Sequence, residues 1–209
     1  MRPPRLMFLI GVLAIAATAR AGAQTAAPRG FAGAGVEVMG EHVFGDSTSD
    51  TGDPYPLAWV VEGAVFISGP VAVGGELYHG PTRTSRYSSS GGSLTEDYQE
   101  TSLLGIARVR AAQSGRVAAD LLAGAGIIFQ HRTGFSIPRS GSSPFQYEDT
   151  AQSPVFVFGG DAPITVNAHL AAVPTARLYF FRSQALSGGI TDVHPTTGVT
   201  LGISGRITW

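Results

Sequence analysis

Cysteine is missing from all 209 residues, and so is lysine: apart from five histidines, every basic side chain is one of 14 arginines. Without cysteine the fold owes nothing to disulfides or thiolate metal sites, even in an oxidising compartment. Charge is scarce as well. Charged residues make up 14% of the chain, whereas a soluble domain carries about 25%, and the shortage fits an outer surface that does not meet water. Also missing is an apolar run of the ~20 residues that a membrane-spanning helix needs. Any membrane location must therefore come from strands. No charge run or proline-rich linker divides the chain, and no basic patch suggests a nucleic-acid partner, so it reads as one domain.

What is present begins at the N-terminus. Arg2 and Arg5 give a basic start, Leu6 to Ala17 form a short apolar run, and Ala21-Gly22-Ala23 is a small-residue cleavage site before Gln24. Residues 1–23 are expected to be a secretory signal peptide and residues 24–209 a single barrel domain. Three arginines lie before the cut, leaving 11 against 15 acidic residues, a net charge near −4.

The rest of the chain, rich in glycine at 28 residues, alternates apolar and polar residues in segments separated by alternately long and short connections. The alternation predicts strands at about 30–41, 57–68, 71–80, 101–112, 117–131, 153–162, 169–182 and 197–209. The connections 42–56, 81–100 and 132–152 are long, those around Gly69-Pro70 and at 113–116 are tight, 163–168 is shorter, and 183–196 closes the series. Eight strands with this asymmetry match an all-β, antiparallel, up-and-down transmembrane β-barrel with short periplasmic turns and long external loops. Pro174 fits less well, because it removes a ladder hydrogen bond and a barrel has no edge to hide it. A bulge or a later strand start is expected there.

The last nine residues state the solvent preference most clearly. Leu201, Ile203, Ile207 and Trp209 share one face and Ser204, Arg206 and Thr208 the other, which puts an apolar solvent outside and polar groups inside. On the segment 57–68 the same parity sends Leu57, Trp59, Val61, Val65 and Ile67 outward. On 117–131 it sends Leu121, Ile127 and Phe129 outward and Asp120 and Gln130 inward. Trp59, Phe129 and Trp209 fall where interfacial aromatic girdles sit.

An eight-stranded barrel is so narrow that side chains fill it. The inward charged set is Glu37, Glu62, Glu76, Arg108, Arg110, Asp120, Arg177 and Arg206, four of each sign, expected to form a lumen salt-bridge network. The tight turns place Glu62 opposite Glu76 and Arg110 opposite Asp120; the repulsive acid pair needs Arg108 or Arg177 to reach it across the lumen. Two facing carboxylates also occur in glycoside hydrolysis, but a filled lumen has no room for a sugar. His42, His79, His131, His169 and His194 are scattered singly, so neither a metal site nor a cofactor is expected.

The signal peptide, the eight alternating segments, the terminal strand to Trp209 and the stretch Val173-Pro174-Thr175-Ala176-Arg177-Leu178-Tyr179-Phe180 resemble the small outer-membrane barrels that include the OmpA transmembrane domain, OmpX and the opacity-type surface proteins. The resemblance implies location in the outer membrane of a Gram-negative-type bacterium. It implies contact with outer-membrane lipids, and Leu201, Ile203, Ile207 and Trp209 as the signal read by the barrel assembly machinery. The family hosts adhesins, structural proteins, channels and enzymes, so it does not set the activity. The favoured function is non-enzymatic, structural or interacting through external loops, among which Ser85 to Tyr98 is rich in Ser, Gly and Tyr and the first loop carries Asp46, Asp50 and Asp53. No peptidoglycan-binding domain follows the last strand, so an OmpA-like wall tether is not expected. Two alternatives are a lipid-modifying enzyme and a soluble periplasmic lipocalin-like barrel. His194-Pro195-Thr196 looks superficially like the His-x-Ser pair of lipid A deacylases, but Thr replaces Ser and no acid follows to orient the histidine. The lipocalin alternative would need the opposite polarity.

Overall fold

Two solvents acting on one chain produce the architecture: apolar side chains are driven out and charged ones in, at every second residue. The computed structural model describes residues 29–43, 57–89, 92–138, 143–187 and 190–209. The proposed signal segment, the aspartates Asp46, Asp50 and Asp53, and the side chains of His42 and His194 lie outside the described residues. Strands run β1 Gly30–Val43, β2 Leu57–Ser68, β3 Val71–His79, β4 Arg83–Ser89, β5 Gly92–Ser114, β6 Val117–Pro138, β7 Phe145–Asp161, β8 Ile164–Thr165, β9 Leu170–Ser187 and β10 Ile190–Thr208. Eight of them, β1, β2, β3, β5, β6, β7, β9 and β10, form an antiparallel ring, closed by pairing of β10 with β1 from Phe31↔Thr208 to Val43↔Thr196. The tight turns β2–β3 and β5–β6 use Gly69 (φ 46°) and Gly115 (φ 56°), left-handed positions that glycine adopts without strain.

The ring matches the expected strands, but three expected loops are strands as well. Residues 83–89 form β4, paired with β5 from Arg83↔Tyr98 to Ser89↔Gly92. Residues 132–138 extend β6 and 145–152 extend β7, while 183–187 extend β9 and 190–196 extend β10. At this end the walls stand beyond the apolar belt with water on both faces, so the alternation that marks a strand is absent while Thr, Tyr and Phe still favour extended backbone.

Pro174 causes neither a bulge nor a late start. β9 keeps its register with β10 through Ile203↔Pro174. On the other side, Ala162 N donates to Pro174 O at 2.9 Å, where β7 has just ended at Asp161. The absent donor of Pro174 therefore faces the end of a ladder. The other end of the same ladder repeats the device. Bonded pairs alternate along an antiparallel seam, so after Phe156↔Phe180 the next would be Pro154 with Arg182, and Pro154 has no N–H. The carbonyl of Arg182 accepts from the Ser153 hydroxyl instead, at 2.8 Å. Two prolines thus bracket the β7–β9 ladder between Phe156 and Asp161.

The outer wall is apolar, with Leu57, Leu103, Leu121, Leu201, Phe156 and Phe158 all more than half exposed. A continuous surface of that kind is excluded in water and natural in hydrocarbon. Leu201, Ile203, Ile207 and Trp209 all lie on it. The lumen is only partly charged. Tyr78, Leu104, Ile106, Leu122, Ile128, Val155, Val157, Tyr179 and Phe181 are buried in its central and upper part, so apolar side chains share the inward positions with the charged set.

Candidate functional site

At the short-turn half of the lumen, arginines from three strands meet acids from four. The tight β2–β3 turn sets Glu62 directly opposite Glu76, and both are nearly inaccessible, with side-chain exposures of 2% and 0%. Arg108 on β5 reaches both, contacting Glu62 closely and Glu76 at 3.4 Å. Arg177 on β9 donates to Glu76 at 3.3 Å, as does the Tyr179 hydroxyl. Arg206 on β10 donates to Glu62 at 2.9 Å. The β5–β6 turn sets Arg110 opposite Asp120 in a two-pronged contact of 2.9 and 3.3 Å. Asp120 also lies 3.7 Å from Arg206. Such bidentate, charge-assisted contacts are the strong form of the interaction.

The centre of this cluster is Asp161, which the sequence analysis did not include. It accepts from Arg108 at 3.0 Å, from Arg177 at 2.7 Å and from Arg206 at 2.8 Å. Its parity with Val155 and Val157, within the expected strand 153–162, marked it as inward. The guanidinium carbons of Arg108 and Arg206 lie 5.3 and 4.1 Å from the centroid of the Phe31 ring, which closes the short-turn end of the cluster.

Asp161 changes the balance from four against four to five acids against four arginines, and Glu37 is the odd member. It is fully buried, and its Oε1 accepts from the Thr175 hydroxyl at 3.2 Å. Its Oε2 has no hydrogen-bond partner, and none of the ion pairs among the described residues includes it. It reaches Thr175 by lying across Gly202, where an added Cβ would come within 2.5 Å of the Glu37 Cγ.

A second polar cluster, also missed, closes the long-hairpin end. Buried Glu100 accepts from Gln130 at 3.1 Å and from Arg83 at 3.5 Å, and contacts the Tyr98 hydroxyl closely. Arg83 and Arg132 approach the Tyr98 ring at 5.0 and 4.8 Å, and Arg132 lies 3.7 Å from Glu96. Apart from Gln130, already read as inward on 117–131, these residues fall in segments assigned to loops, so no inward parity was available to find them. The lumen is thus layered: ions, an apolar middle, then ions and aromatics again.

Among the described residues neither enzymatic arrangement is assembled. The facing Glu62 and Glu76 are taken up by arginines, and the space between them is filled. Thr196 is 2% exposed, turned inward and away from lipid. His79, His131 and His169 sit on the outer side or the rim, beside the Thr101 hydroxyl, the Thr150 hydroxyl and the Thr208 carbonyl respectively. Trp59 lies against His79 with the rings tilted by 39° and their centroids 4.9 Å apart.

No protein-family model and no curated protein matches the sequence. Solved structures do match the fold. Neisserial surface protein A aligns with a TM-score of 0.53 at 10% identity, over 86% of this chain and 97% of that one. Ail, the attachment invasion locus protein of Yersinia pestis, aligns with a TM-score of 0.52 at 10% identity, over 88% and 100%. A major outer membrane protein from Thermus thermophilus gives 0.52 at 9% identity, over 86% and 99%. At such identities the likeness is one of fold, the small outer-membrane β-barrel.

Proposed function

We propose that the chain is a non-enzymatic integral outer-membrane protein, exported by its N-terminal signal segment and presenting its long-hairpin end to the outside as a structural or recognition surface. The observation that carries the proposal is the inverted polarity: a more than half-exposed leucine and phenylalanine wall around buried Glu37, Glu62, Glu76, Asp161, Arg108, Arg177 and Arg206. A soluble lipocalin-like barrel requires the opposite. The short turns then face the periplasm. The Leu201, Ile203, Ile207 and Trp209 row serves the assembly machinery, and the lumen ions act as a plug that fixes strand register, the role for which buried ionic groups are best suited.

The buried, inward Thr196 favours this function over lipid deacylation, and the carboxylates already held by arginine favour it over glycoside hydrolysis. The test is fractionation with a gel-shift assay. The protein is expected in the outer-membrane fraction, extractable only by detergent and heat-modifiable in migration. Recovery in a salt-washed soluble periplasmic fraction would overturn the location, and release of fatty acid from purified lipid A would overturn the absence of catalysis.

A further inference from the structure

Beyond the apolar belt, the face of the β5–β6–β7 sheet that points away from the barrel axis holds an open groove of about 410 Å3. Strand register sets its walls in two rows. Asp97, Thr133 and Glu148 stand abreast on the three strands, and Thr95, Phe135 and Gln146 form the next row. Adjacent strands are ~4.8 Å apart, so the two carboxylates lie ~10 Å from each other with a hydroxyl between them. Thr84 donates to Asp97 at 2.6 Å and fixes its orientation. Phe135 is 40% exposed, an apolar ring flanked by a hydroxyl and an amide.

Chemistry and position together select the ligand. An aromatic platform rimmed by hydroxyl, amide and carboxylate groups suits a pyranose, which offers an apolar C–H face and a ring of hydroxyls. Asp97 and Glu148, the latter 3.8 Å from His131, stand against one arginine beside the groove, Arg86 opposite Thr95, so the net charge disfavours phosphate, sulfate and carboxylate and the sugar is neutral. Phe135 shares the parity of Leu121, Ile127 and Phe129, so the groove looks sideways over the membrane and not into the lumen. It lies six residues beyond Phe129, ~20 Å along the strand, which at a tilt near 40° is ~15 Å above the belt. That height is where an outer-leaflet glycolipid carries its sugars.

We propose that this groove binds the uncharged sugar residues of the glycolipid that surrounds the barrel, a proposal that rests on the outer-membrane location above. The mature chain, refolded in detergent micelles, is titrated by calorimetry with the oligosaccharide released from rough lipopolysaccharide and dephosphorylated, and in parallel with its phosphorylated parent. Saturable binding of the dephosphorylated sugar is expected. It should weaken about fivefold or more in Phe135→Ala, the worth of one ring contact, remain unchanged in the belt variant Phe158→Ala, and be weaker for the phosphorylated parent. Absence of saturable binding, equal binding by Phe135→Ala, or tighter binding of the phosphorylated form would overturn the proposal. Heat-modifiable migration shows that each variant is folded, and outer-membrane fractionation of the unaltered protein separates failure of the sugar site from failure of the location.

Discussion

Replacing Asp161 by Asn removes one of three carboxylates shared by three buried arginines. Asp161 touches Arg108, Arg177 and Arg206 at 2.7–3.0 Å with a side-chain exposure of 0%. Afterwards Arg108 keeps Glu62 and Glu76, Arg177 keeps Glu76, and Arg206 keeps Glu62 with Asp120 at 3.7 Å, so every arginine retains a partner while the three have lost one of the three carboxylates they share. Breaking one side of a buried pair costs about 3–5 kcal/mol, and the residual partners put this case near the lower end, about 3 kcal/mol. The decisive comparison is the double variant Asp161→Asn, Arg177→Met. It leaves Arg108 and Arg206 facing Glu62 and Glu76, balanced again, with a thioether filling the vacated space. The two substitutions should therefore be less damaging together than their sum, by about 2 kcal/mol. Urea titration of the refolded barrel in micelles measures all three variants, provided the unfolding and refolding curves coincide. Additivity to within about 0.5 kcal/mol would refute the view that the cluster acts as one charge-balanced unit.

Gly202→Ala should destabilise by about 1–3 kcal/mol, because its Cβ would lie within 2.5 Å of the Glu37 side chain and of the Val36 carbonyl oxygen. Gly205→Ala, with nothing within 4 Å, should be neutral or slightly stabilising in the same titration. Deleting Trp209 should lower the heat-modifiable fraction while leaving signal cleavage intact; unchanged assembly would mean that the terminal ring is dispensable. Planar-bilayer recordings should show no large, stable conductance, since ions and aromatics close the lumen at two levels, and porin-scale openings would contradict a plug.

Legibility in the sequence followed the two solvents. Between lipid and a filled lumen every second residue reports its face, and there the strand positions, the Glu62–Glu76 and Arg110–Asp120 pairings and the reach of Arg108 and Arg177 could be read from parity and turn length. Beyond the belt that report stops. β4, the upper parts of β5 to β7 and the β9–β10 extension look like loops in composition, and the cluster around Tyr98 and Glu100 was hidden with them. Asp161 was missed for a different reason: strand and parity were both readable within 153–162, but neither shows that three arginines converge on the last inward position of that strand. Glu37 has the correct parity, yet parity does not tell whether an arginine can reach it, and here a threonine stands nearest.

A ring opens along its weakest line, and the prolines at 154 and 174 define one. Hydrogen bonding between β5 and β6 runs from Gly92↔Pro138 to Ser114↔Val117, whereas that between β7 and β9 spans only Phe156 to Asp161. Above Phe156 the wall is divided: the sheet of β4 to β7 forms one upright panel, the β9–β10 hairpin another, and the barrel rim is their common hinge. The Ser153–Arg182 bond is the latch across the slit. A partner that gripped both panels would close the slit, and one that wedged between them would load the short ladder directly. Force applied between the two panels would fall first on that six-residue ladder, whose lower end is Asp161 itself.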